Sequence, residues 1–282
     1  AAITSAPGVA MLLGAPLGLL IGRWVDRGPV RLMMVCGLLL CVAGLLLLAR
    51  AAELWWIGVL FCTLVFGGAN LCGPLPAMAL LGKWFARRRG IALGLAVAGS
   101  TIATAAAPYA AARLVSSIGW RGAVDVLALT ALVIGLPSFA LLVVRSPEEV
   151  GQHPDGASEP PPEVAGGAMA ERVSIFLRER NFYLWAFGFA LLFTSPIVNA
   201  TFFIPFAQDL GLTREQAALP LIPLAIFSLV GKLAFGVIGD RMDPRRATRL
   251  AIAVLIAGWF VLLTRPNFAW LLVGGALMGL GV

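Results

Sequence analysis

A chain of 282 residues that is 60% hydrophobic and 12% charged, with mean hydropathy +0.93, has too few polar side chains to clothe a water-soluble domain, where about 25% of residues are charged. Its apolar stretches continue for about 20 residues without alternating, which excludes a transmembrane β-barrel and leaves an all-α, multi-pass membrane protein, because only a helix satisfies its own backbone in hydrocarbon. A net charge of +7 would suggest nucleic acid in a soluble protein, but here the basic residues sit in short loops between apolar runs, so they set topology and no nucleic-acid partner is expected.

In chain order, apolar runs occupy residues 3–22, 30–49, 54–81, 90–112, 121–144, 182–207, 216–239, 249–264 and 267–282, nine predicted spans. The chain opens at Ala1 without a signal-peptide pattern and stops inside an apolar run, so it reads as an internal fragment of a longer protein. Assigning loops to alternate sides puts 15 of the 21 Lys and Arg on one side and 5 on the other, with Lys232 inside a span. The richer side is expected in the cytoplasm. The longest loop, 145–180, lies on that side. Its Pro-, Gly- and Glu-rich middle predicts a mobile linker, and RVSIFLRERNF after it predicts a short interfacial helix. The expected organisation is an N-terminal half at 1–144, the linker at 145–180 and a C-terminal half at 181–282.

The remaining residue types are uninformative about chemistry. Cys36, Cys41, Cys62 and Cys72 fall within apolar runs at no metal-ligand spacing. The single histidine, His153, sits in the polar loop. No HExxH, Walker loop, Ser/His dyad or pair of intramembrane carboxylates occurs, so no enzyme, cofactor or metal is expected.

One feature occurs twice. Residues 22–31 read GRWVDRGPVR and residues 236–246 read GVIGDRMDPRR, with Asp26 and Asp240 separated by 214 positions and six predicted spans. Six is even, so both charged knots fall on the cytoplasmic side, as in two parallel repeats. The pattern resembles the G-x-x-x-D-[RK]-x-G-x-[RK]-[RK] loop of the major facilitator superfamily. Gly22, Asp26, Arg27, Gly28 and Arg31 fill the first copy, one basic residue short, and Gly236, Asp240, Arg241 and Arg245 belong to the second. The resemblance implies twelve helices in two parallel halves, of which this chain carries about helices two to ten, and a gating role for both knots. In physical terms, a carboxylate at the end of a span is favourable against a helix N-terminus or a cation, and Gly22 lets a facing helix approach.

A narrower resemblance rests on FGGANLCGPLPAMALLGKWFARRRGIALGLAVAGS at 66–100 and GWRGAVDVLALTAL at 119–132. These are similar to the monocarboxylate-porter branch and its oxalate/formate relatives. The antiporter signature of the fifth helix is not matched by GSTIATAAAPYAA, which weighs against a drug/proton antiporter.

Lys232 stands about seven residues inside its span, roughly 10 Å deep at 1.5 Å per residue. A buried lysine there costs about 2.5–3.5 kcal/mol on insertion scales, so it needs either a partner in a cavity or a snorkelling stem. In monocarboxylate porters the corresponding position, four residues before the motif glycine, is an arginine, preceded one turn earlier by an aspartate. Here those positions hold Lys232 and Ser228. Asn70, Asn199 and Tyr109 are further candidates for contact with substrate, the asparagines balanced between that role and bonding between helices. Tyr109 lies one turn from Arg113, and Asp125 is expected to pair with Arg113 or Arg121.

The functional expectation is a secondary transporter of small organic anions, monocarboxylate or dicarboxylate, working by alternating access with proton symport, and needing no obligate protein partner. It would reside in a bacterial inner (plasma) membrane with the 145–180 loop in the cytoplasm. An exporter of drugs or hydrophobic compounds is the alternative within the superfamily; a channel or a transporter-derived sensor is the alternative outside it. Cysteine labelling of the full-length protein should find positions 28, 86, 155 and 243 accessible from the cytoplasm and 52, 118 and 211 from outside; labelling of 28 and 243 from opposite sides would overturn the parallel repeat.

Overall fold

The computed structural model describes Gly14, Leu17, Gly18 and residues 20–26, 28–156, 179–264 and 267–281. Among these the regular structure is helical throughout. The principal elements are α1 (Val30–Arg50), α2 (Leu54–Trp84, with a π turn at Phe61–Val65 and a break at Gly73), α3 (Arg89–Pro137, continued by a π turn at Ser138–Leu142), α4 (Arg180–Asp209), α5 (Arg214–Ala218), α6 (Leu221–Arg241), α7 (Pro244–Leu263) and α8 (Phe268–Gly281). They coincide with eight of the nine predicted spans. The run 3–22 and the predicted interfacial helix fall almost wholly outside the described residues. Five helical stretches, Val30–Arg50, Leu54–Trp84, Tyr109–Leu142, Gln216–Arg241 and Arg245–Leu263, are long and apolar enough to cross a bilayer.

The loop expected between the spans at 90–112 and 121–144 is compressed to a single residue. Helical backbone runs on both sides of Gly119, whose φ of 75° and ψ of 170° lie where a Cβ is strongly disfavoured.

Two compact units emerge. One comprises residues 1–87 and 106–162, the other 88–105 and 163–282. Residues 88–105, which the sequence assigns to the N-terminal half, thus pack with the second unit.

In the first unit α1 lies antiparallel to α2 along glycines. A Cβ added at Gly37 would meet the Gly68 carbonyl at 2.9 Å, one at Gly44 would meet the Val65 amide at 3.0 Å, and one at Gly68 would meet the Cys41 amide at 2.5 Å. Backbone contact of this kind suits lipid, where helices associate through dispersion and small residues, not through exclusion of water. The second arm of α3 packs on α1 through Leu38, Val42 and Ala128, while Val133 and Leu141 remain more than 70% exposed, as lipid-facing side chains are.

Asp125 does not pair with Arg113 or Arg121. Its carboxylate accepts from Arg50 at 3.0 Å, because antiparallel packing of α1 and α3 brings the last turn of α1 beside it. Arg121 instead donates to the Ala51 carbonyl, and Arg113 donates to Tyr109 at 3.0 Å. The beginning of the predicted linker is also fixed: residues 147–150 and 154–156 form 3₁₀ turns, Pro147 is buried, and Asp155 accepts from the backbone amides of Ala86 and Arg87 at 3.0 and 2.7 Å.

The glycine seam gives an internal control. Gly68→Ala drives a methyl into backbone atoms and should destabilise the protein by about 1–3 kcal/mol, whereas a Cβ at the neighbouring Gly67 meets nothing within 4 Å and Gly67→Ala should be neutral or slightly stabilising. Thermal unfolding in detergent should separate the two variants; equal midpoints would mean that α1 and α2 do not touch as described.

Candidate substrate site and helix clamps

In the second unit Phe203, Leu255, Leu262, Leu271 and Met278 form a buried core, and α6 meets the first arm of α3 along glycines. Gly90 and Gly236 oppose each other so closely that a Cβ at Gly236 would meet the Gly90 carbonyl at 2.7 Å, and a Cβ at Gly94 would meet the Lys232 carbonyl at 2.7 Å. At the end of this seam the Asp240 carboxylate accepts two backbone hydrogen bonds, from Gly90 at 2.6 Å and Ile91 at 3.0 Å. It thereby satisfies two of the orphan amides that begin α3 and places negative charge at the positive end of that helix. The carboxylate is a helix cap supplied by another helix. The close approach expected of the motif glycine is realised at Gly236. At Gly22 it is not: a Cβ there meets nothing within 4 Å among the described residues.

Lys232 lies eight residues before Asp240 on α6. Its Nζ donates to Thr101 Oγ1 at 2.8 Å and to Ser228 Oγ at 2.9 Å. Ser228 is one turn farther from the Asp240 end, and Thr101 is eleven residues beyond Gly90 along α3, roughly 16 Å. The ammonium therefore points deeper into the span, away from the Asp240 end. This follows from the tilt of Cα–Cβ bonds toward a helix N-terminus and is the reverse of snorkelling. Ser228, in the position where the resembled branch has an aspartate, is buried at 5% exposure and supplies a neutral acceptor.

Beside this lysine is a cavity of about 470 Å³, lined by Gly90, Leu93, Gly94 and Val97 of α3, Phe189 and Leu192 of α4, Gly231, Lys232, Phe235 and Gly236 of α6, and residues of α7 and α8. Lys232 is the charged residue of that lining. A chamber of this volume accommodates a small molecule. An anion about 4 Å from the ammonium gains about 4 kcal/mol at an effective dielectric of ~20, against about 1 kcal/mol in water.

The other expected contacts are elsewhere. Asn199 is buried at 6% exposure, on the face of α4 that carries Ser195 and Phe203, and does not line the cavity. Ser195 there accepts from Trp259 at 3.1 Å. Asn70 belongs to the first unit, and its amide donates to the Phe66 carbonyl of its own helix at 2.8 Å. Tyr109, also of the first unit, is 68% exposed and accepts from Arg113.

The first knot makes a different set of bonds. Asp26 is exposed, with Lys83 Nζ at 3.9 Å. Lys83 donates to the Val25 carbonyl at 2.8 Å, and Arg145 to the Asp26 carbonyl, so cations occupy the carbonyl end of the helical stretch 20–26. Arg31 donates to the Val143 carbonyl at 2.8 Å, and the Gly28 amide closes on Trp24 at 2.7 Å, where a Cβ would clash with the Trp24 carbonyl and ring. Arg27 lies outside the described residues. In the second knot Arg241 and Arg245 are exposed.

Two residues escaped the sequence reading. Asp243 caps α7 by accepting from the amides of Arg245 and Arg246, and the Asp-Pro pair before an apolar run was the available signal. Thr101 had no signal, since a threonine in a span ordinarily bonds its own helix.

Asp240→Asn removes the charge and one of two acceptor oxygens, a loss of about 1 kcal/mol on the scale of helix caps. Amide hydrogen exchange in a peptide covering 88–95 should become several-fold faster in that variant; an unchanged rate would mean that the cap is not formed in the membrane.

Comparison with known proteins identifies the family. The family model described as Major Facilitator Superfamily matches residues 1–282. Monocarboxylate transporter 12-B of Danio rerio is 29% identical over 95% of this chain and 60% of its own length. Monocarboxylate transporter 2 of Mesocricetus auratus is 27% identical over 88% of this chain and 53% of its own length, and MFS-type transporter pynF of Aspergillus niger 25% over 86% and 52%. The chain thus spans little more than half the length of these relatives. The match over all 282 residues, with the duplicated knot and the all-helical architecture, places the chain in the Major Facilitator Superfamily, a family of multi-pass membrane transporters and not of enzymes.

Proposed function

We propose that the full-length protein is a secondary transporter of small monocarboxylates, with Lys232 as the cationic group that receives the carboxylate. The observation that carries this reading is the Lys232 ammonium, held inside a span beside an apolar chamber and turned away from the nearer membrane surface. Relatives named monocarboxylate transporters support the substrate class. An apolar lining around one cation favours short aliphatic acids over larger polar anions, since every unpaired polar group brought into the chamber loses its hydration.

Transport proceeds in this reading by alternating access between an N-terminal half (1–144) and a C-terminal half (181–282), joined by the 145–180 segment on the cytoplasmic side of a plasma membrane. The two knots serve as cytoplasmic clamps. Asp240 on the first turn of α3 joins a helix of the N-terminal half to one of the C-terminal half, as a clamp that opens during transport requires. A coupling proton needs a titratable partner. No Asp or Glu occurs between Leu221 and Gly239, so a carboxylate that carried a symported proton would lie outside that stretch of α6.

Lys232→Met retains bulk and removes charge, relieving the insertion cost. In the full-length protein it should reach normal membrane abundance and lower affinity for radiolabelled lactate or pyruvate by at least about tenfold, equivalent to about 1.4 kcal/mol. Lys232→Arg should retain partial uptake with altered selectivity, because a planar fork replaces a point charge. Wild-type uptake by Lys232→Met, normalised to abundance, would remove the anionic-site reading.

A further inference from the structure

We infer that Thr101 is a positioning residue for the anion site, setting the direction in which Lys232 presents its ammonium; this rests on the reading of Lys232 given above. An ammonium has three N–H donors. Two are committed, to Thr101 and Ser228, which leaves one for a carboxylate. The two acceptors are not equivalent. Ser228 stands one turn away on the same helix, so its bond moves with Lys232 whatever α6 does. Thr101 reaches across from α3, and its bond exists only where the glycine seam holds the two helices in register. It therefore ties the orientation of the cation to the closed α3–α6 contact.

The hydroxyl geometry fits that role. Thr101 Oγ1 lies 3.4 Å from the Val97 carbonyl of its own helix, to which its O–H is directed, leaving its lone pairs for the ammonium. Neither Thr101 nor Ser228 lines the cavity, whereas Lys232 does. The hydroxyls thus fix the ammonium beyond the edge of that lining and, being neutral, leave its whole charge available to a ligand.

The test uses the full-length protein in proteoliposomes, with radiolabelled lactate, pyruvate and acetate as probes. Thr101→Val keeps the β-branched shape and removes the acceptor. It should raise KM for the transported acid at least about tenfold while kcat stays within about threefold. Thr101→Ser restores the acceptor and should return KM to within about threefold of wild type. Thr101→Ala, which demands no space, repeats the loss should the valine variant be poorly folded. Wild-type KM in both Thr101→Val and Thr101→Ala would overturn the inference, as would a Thr101→Ser variant as impaired as Thr101→Val, which would reduce the residue to packing. Lys232→Met run in parallel separates the two levels. Lost uptake there with normal KM in the Thr101 variants overturns the positioning role alone. Normal uptake in Lys232→Met, or no uptake of any probe by the wild type, removes the anion site and this inference together.

Discussion

Backbone contact between α3 and α6 is the constraint on which the second unit's site depends. Gly90, Gly94 and Gly236 remove the Cβ atoms that would hold the helices apart, and only at that separation does the short side chain of Asp240 reach the first amides of α3. The same approach fixes the antiparallel register. With Asp240 at Gly90, Lys232 stands roughly 12 Å along α6 and Thr101 roughly 16 Å along α3, and the lysine stem, tilted toward the N-terminus of its helix, spans the difference. Helices apposed in lipid gain dispersion energy and interhelical hydrogen bonds but no hydrophobic term. A seam without side chains therefore concentrates its specificity in the few polar groups at its ends.

Those polar groups handle the buried charge in an informative way. A lysine inside a span is stabilised either by a carboxylate, which cancels its charge, or by neutral acceptors, which satisfy its donors and leave the charge in place. Here Ser228 and Thr101 supply the second arrangement. Because the cavity lining beside Lys232 is largely apolar, the charge is screened less there than it would be in water. In the proposed function, recognition rests on a single strong electrostatic contact with an apolar remainder, the chemistry of a small aliphatic acid. An aspartate at position 228 would alter this balance, since an incoming carboxylate would compete with a resident one unless a proton neutralised either.

How far the sequence discloses this differs from residue to residue. The clamp residues Gly236 and Asp240 were visible because the knot occurs twice at an even number of spans, and Lys232 because a cation interrupts an apolar run. Thr101 was invisible for a physical reason: in GSTIATAAA nothing distinguishes it from a threonine bonding its own backbone, and its partner is 131 residues away. Only the register set by Gly90 and Gly236 identifies it. Asp125 misled for the opposite reason. Arg121 was one turn away and the obvious partner, yet the ion pair formed with Arg50, 75 residues distant, because helix packing brings chain-distant ends closer than a helical turn does. The break at Gly119 was masked by the apolar run on either side, whose lengths suggested a loop where one residue sufficed.

The two knots then show how one motif meets one electrostatic requirement in two ways. A carboxylate at the end of a span needs positive potential nearby, and both a helix N-terminus and a cation provide it. Asp240 takes the first: two amides bonded through both oxygens, with no long side chain to immobilise. Asp26, itself exposed, takes the second, a half-buried lysine at 3.9 Å. A long pair of that kind at the protein surface contributes about 0–1 kcal/mol. Lys83 and Arg145 in turn direct their hydrogen bonds to the backbone carbonyls of Val25 and Asp26 rather than to the carboxylate. In the first knot, then, basic residues hold a helix C-terminus and the aspartate is peripheral, whereas in the second the aspartate itself joins two helices. The second copy, although the poorer match to the motif, is the one whose carboxylate bonds another helix, because the glycine seam delivers it there and the number of arginines around it does not.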